Sequence, residues 1–100
     1  MEMKYSRQQI EALFPIGMLI KGRVLAHYAF GIFINIGINE YSGLIQITDF
    51  LDGGVMTTKL YPEINEPIVA CVLAYNHEAK QIWLSVKPSV LESKNADSVV

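Results

Sequence analysis

One hundred residues carry eight basic and ten acidic side chains, a net charge of -2, and 51% apolar against 18% charged residues. That composition suits one small domain with enough apolar surface for a core, and it excludes a disordered chain. It also lacks the basic excess that holds many proteins on nucleic acid by charge alone.

The first seventeen residues, MEMKYSRQQIEALFPIG, lack the unbroken apolar core of a signal peptide, and no stretch of about 18 apolar residues follows. A soluble, cytoplasmic protein with no membrane partner is expected. The single cysteine, Cys71, excludes an internal disulfide framework and a multi-cysteine zinc site, which suits a reducing compartment. Ser6 precedes Gln9 by three residues, the spacing of a capping box, and Ile10, Leu13 and Phe14 then fall on one helical face before Pro15. Residues 1–15 therefore read as a short helical extension.

From Met18 the apolar period becomes that of strands, in five runs: Met18 to Tyr28, Phe30 to Ile36, Gly43 to Thr48, Pro67 to Tyr75 and Gln81 to Val86. The connections at 37–42 and 76–80 have hairpin length. The one from Asp49 to Glu66 is long, with room for a helical turn between strands three and four. Residues 88–100 show little periodicity and read as a flexible tail. Five short strands with one long insertion predict an all-β, five-stranded Greek-key barrel of the oligonucleotide/oligosaccharide-binding (OB) type over residues 16–87. An SH3-like barrel is the competing architecture. Gly22 within the long first run fits a sharply curved strand serving both sides of a small barrel.

Four segments in register resemble one known family, the S1 RNA-binding domain, named after the bacterial ribosomal protein in which it is repeated. IGMLIKGRV, from Ile16 to Val24, is similar to its opening glycine and G-x-V. FGIFINIG, from Phe30 to Gly37, resembles its F-G-x-F-V-x-x-G hairpin. GLIQIT, from Gly43 to Thr48, follows its G-L-V-H-I-S strand, and IWLSVK, from Ile82 to Lys87, its closing I-x-L-S-x-K. The resemblance implies an OB barrel that binds RNA without catalysis, in a role accessory to translation or RNA turnover.

The residues themselves support part of this. Gly31 between two phenylalanines lets a strand bulge, which would bring Phe30 and Phe33 onto one outer face; the competing reading makes both rings core. Ile34, Ile36, Ile45, Ile47, Ile82 and Leu84 alternate with other residues and should fill the barrel. Outward aromatics suit stacking on unpaired bases, and Lys21 and Arg23 on the neighbouring strand are placed to meet phosphates. In the family a histidine, an aspartate and an arginine join the phenylalanines; those positions correspond here to Gln46, Asn76 and Gln81, with Lys80 beside the last. Each departure discards a charge or a ring, although amides still hydrogen-bond base edges and ribose hydroxyls. Weak, aromatic-driven binding of single-stranded RNA is the expectation.

The register of the fourth strand sends Ile68, Ala70 and Val72 inward and turns Val69, Cys71 and Leu73 outward. With Leu25 and Trp83 they define an apolar outer patch, either covered by the N-terminal helix or serving as an interface with a protein partner or a second copy. A protein-interaction module is accordingly the alternative function. No catalytic constellation, metal site or cofactor is expected: His27 and His77 are isolated, Asp49 and Asp52 lack a partner base, and Gly53-Gly54 lacks the lysine of a phosphate loop.

Overall fold

The computed structural model describes residues 4–98, with side chains as far as Ser93. Five strands close into a barrel in the order β1-β2-β3-β5-β4: β1 Leu19–Tyr28, β2 Gly31–Asn35, β3 Ser42–Gln46, β4 Pro67–Asn76 and β5 Gln81–Ser85. All neighbours are antiparallel except β3 and β5, which run parallel. This is the expected OB barrel. β1 is long because it serves two partners, pairing with β4 over Leu19 to Arg23 and with β2 from Arg23 to Tyr28. At Gly22 a Cβ would come within 2.5 Å of the Asn35 carbonyl oxygen, so the strand curves through a place that admits no side chain.

The interior holds Ile20, Val24, Ile32, Ile34, Ile45, Ala70, Val72, Ile82 and Leu84, with Ile36 at its edge. Ile47 packs against this core only partly, because β3 ends at Gln46 and Ile47–Asp49 turns into a 3-10 helix; a second 3-10 turn follows at Thr58–Leu60. These turns supply the helical element expected between strands three and four.

Helix α1, Arg7–Leu13, has the predicted cap: the Ser6 hydroxyl accepts from the Gln9 amide at 3.1 Å and the Gln9 side chain accepts from the Ser6 amide at 2.8 Å. Its packing differs from expectation. Ile10 is fully buried in the core, whereas Leu13 stays exposed. The Tyr75 hydroxyl donates to the Phe14 carbonyl at 2.8 Å, and His77 Nε2 lies 2.8 Å from Glu11. α1 therefore docks through Tyr75 and His77 at the end of β4 instead of lying over Val69, Cys71 and Leu73.

The segment read as an unpatterned tail is helical as α2, Pro88–Ser98, and the last two residues of that reading lie outside the described residues. The helix has no apolar stripe, so periodicity could not reveal it. Its start is marked by chemistry instead: Pro88 stands at the first helical position, and Asp52, far away in sequence, accepts from both the amide and the hydroxyl of Ser89. Those two bonds hold the Asp52 carboxyl below its ordinary 3.8. A carboxyl depressed by folding contributes stability that is fully present above its unfolded value and lost as pH falls through the folded one. The α2 tether should thus loosen only below about pH 3.8. Carbon chemical shifts of Ser89 to Leu91 should show an acid-dependent loss of helix that Asp52→Ala already shows at neutral pH.

Candidate nucleic-acid interface

The outer face is organised by a bulge that the strand pattern concealed. Pairing of β1 with β2 shifts between Val24 and Ala26, so Leu25 is the extra residue and Ala26, not Leu25, stands opposite Phe33. Everything downstream on β1 changes face, and Tyr28, paired with Gly31, points outward. Phe30 lies in the turn joining β1 to β2, whose carbonyl accepts from the Ile47 amide at 2.8 Å. Phe30 and Phe33 therefore share a surface, but the cause is that Phe30 lies in this turn, outside the alternation of β2, rather than a bulge at Gly31; the bulge at Leu25 adds Tyr28 to them.

Three rings result where the sequence suggested two. Tyr28 and Phe30 stack with centroids 5.3 Å apart, and Phe33 meets both edge-on at 5.5 and 6.0 Å. Tyr28 is 48% and Phe30 52% exposed; Phe33 is partly buried beneath them. The Tyr61 hydroxyl donates to the Tyr28 carbonyl at 2.8 Å, and burial pushes the Tyr61 phenol up, so it remains a donor and pins the end of β1.

Cross-strand pairs place the remaining candidates. Gln46 opposes Gly31, beside the rings. The next row across the outer face reads Ala26, Phe33, Leu44, Trp83, Ala74. One step further along the strands the residues are polar: Arg23 opposes Asn35, and Gln81 opposes both Ser42 and Asn76. Arg23 is thus two residues from the aromatic row by way of Asn35, and Lys21 lies beyond it. Arg23 Nη1 donates to the Asn65 carbonyl at 2.9 Å. Gln81 and Lys80 belong to the β5 side of the face, with β3 between them and the rings. The Asn76 side chain accepts from the Ala79 amide at 3.2 Å and so shapes the β4–β5 hairpin, in which Lys80 has φ 56°.

Charge is distributed more favourably than its total suggests. Among the described residues no strand contains an Asp or Glu, whereas β1 carries Lys21 and Arg23. The carboxylates of the described residues sit in loops and helices, with Glu63 and Glu66 on the connection that approaches Arg23.

The apolar outer patch is not continuous. Leu25 and Val69 are exposed, but Val69 opposes Lys21, four residues from Leu25. Cys71 is only 2% exposed, which corrects its reading as a surface residue; it lies on β4, the strand against which α2 packs, and opposes Ser85 of β5, also buried. Leu73 is the extra residue of a second bulge, between Val72 and Ala74, and like Trp83 is partly buried.

Both histidines are engaged. His27 Nε2 donates to the Pro62 carbonyl at 2.7 Å. His77 donates from Nε2 to the Glu11 carboxylate, which cannot itself donate, and its Nδ1 hydrogen-bonds with the Tyr41 hydroxyl at 2.7 Å. Among the described residues no group of three His, Cys, Asp or Glu is placed to hold a metal, and no helix is long and apolar enough to cross a membrane.

No family model and no curated protein matches the chain. Solved structures do match. GSP13 from Bacillus subtilis is 23% identical with a TM-score of 0.64, over 87% of this chain and 61% of that one. A chain of the a/eIF2alpha-aDim2p-rRNA complex from Pyrococcus horikoshii OT3 is 16% identical with a TM-score of 0.64, over 82% and 51%. RNase R from Mycoplasma genitalium is 22% identical with a TM-score of 0.58, over 78% of this chain and 14% of that one. The chain spans less than two thirds of each of these three. The likeness establishes the fold: this is an OB barrel, the fold that resemblance to the S1 domain implied.

Proposed function

We propose that the barrel binds single-stranded RNA, weakly and with little sequence preference, by stacking bases on Tyr28, Phe30 and Phe33. The observation that carries this reading is the cluster of three outer rings, two of them half exposed, on a barrel wall without a carboxylate. One structure with the same fold is a complex containing rRNA, which supports the assignment. Gln46 hydrogen-bonds a base edge or ribose beside the rings, and Arg23 with Lys21 meets the backbone. A role accessory to translation or RNA turnover is the setting this chemistry suits. The competing protein interface is weakened by the separation of Leu25 from Val69 and the burial of Cys71.

Each stacked base contributes roughly 1–3 kcal/mol, so Phe30→Ala with Phe33→Ala should weaken binding of a short unstructured RNA by at least about tenfold. Fluorescence anisotropy at low salt measures this; equal affinity of the double variant would sink the proposal. Engagement of two or three phosphates predicts a log-log salt slope of only about -1.4 to -2.1.

A further inference from the structure

We infer that Trp83 is a second stacking position on this same face, so that the bound strand runs from Phe33 across Leu44 onto β5; the inference rests on the RNA reading above. Phe33 and Trp83 are the two cross-strand neighbours of Leu44, and directly opposed residues project from the same side of a sheet. Leu44 points away from the barrel interior yet is only 4% exposed. It forms an apolar floor between two aromatic walls. Beyond the walls the row ends in the small residues Ala26 and Ala74.

The indole is also held in place. Trp83 Nε1 donates to Gln81 Oε1 at 3.1 Å, which turns its polar edge toward the row of Ser42, Gln81 and Asn76 and satisfies the N–H without water. That row and the aromatic row contain no acidic residue. A base lying against the indole meets apolar surface on one side and amides on the other.

Spacing makes the inference testable. Two strand separations of about 4.8 Å put Trp83 roughly 10 Å from Phe33, about three times the 3.4 Å between stacked bases. A dinucleotide held at the phenylalanines does not reach the indole; a hexanucleotide does. Trp83 is the chain's one tryptophan, so its emission reports on this position alone.

The test uses labelled di- and hexauridylate with anisotropy and tryptophan emission read together. Saturation with the hexanucleotide should change the emission, and saturation with the dinucleotide should not. Trp83→Leu should weaken the hexanucleotide by about fivefold to a hundredfold and leave the dinucleotide unaffected, while Trp83→Phe, which keeps a ring, should retain most of the affinity. Hexanucleotide binding that requires Phe30 and Phe33 but leaves both the emission and the Trp83→Leu affinity unchanged overturns the role of Trp83 alone. Absence of any RNA binding by the parent overturns the RNA reading and this one with it. An emission change that follows protein concentration without RNA marks a contact between copies and also overturns it.

Discussion

In a urea titration Gly31→Ala is expected to lose about 3 kcal/mol, the upper end of what overpacking costs. The methyl group would run into the Ile45 carbonyl oxygen and stand 2.9 Å from the Gln46 Cα. Both obstacles are backbone, so no rotamer change relieves them. β2 and β3 must separate where Ile32 opposes Ile45, two core residues with no exposed surface. Gly31 also lies between Phe30 and Phe33, so RNA binding should fall with stability even at temperatures where the variant remains folded. A variant as stable as the parent would show that the two strands do not approach this closely.

Ile10→Ala is expected to cost about 2–5 kcal/mol, a large share of the roughly 5–15 kcal/mol that holds a domain folded. Ile10 is the one buried residue of α1, and a helix of seven residues does not persist alone. Its other attachments, Tyr75 to Phe14 and His77 to Glu11, should fail together with it. Chemical denaturation gives the loss, and amide exchange over residues 7–13 should accelerate more than exchange in β2. The helix docks by His77, whose ring also bonds Tyr41 in the loop after β2, whereas Phe30 precedes β2. RNA affinity should therefore survive Ile10→Ala, in contrast to Gly31→Ala.

Much of this was legible along the chain, because the signals were local. Ser6 and Gln9 marked the helix start, and the alternation of Ile34 and Ile36 with their neighbours marked a half-buried strand. What stayed hidden depends on single-residue irregularities. Strict alternation from Lys21 and Arg23 sends Tyr28 inward; one inserted residue at Leu25 reverses that, and Tyr28 joins the site. The same slip at Leu73 places Ala74 opposite Trp83. A direct signal for Tyr28 did exist: it stands two residues before Phe30, at the mouth of the turn that exposes that ring. α2 escaped for another reason, since its start depends on Asp52, thirty-seven positions from Ser89.

Circular closure of the strand ladder has a further effect on how the molecule meets others. Each strand already has a neighbour on both sides, so the ladder offers no free rim for an incoming peptide to prolong, nor a template for fibrous stacking. Recognition of any kind must be made by side chains projecting from the wall or by the connecting loops.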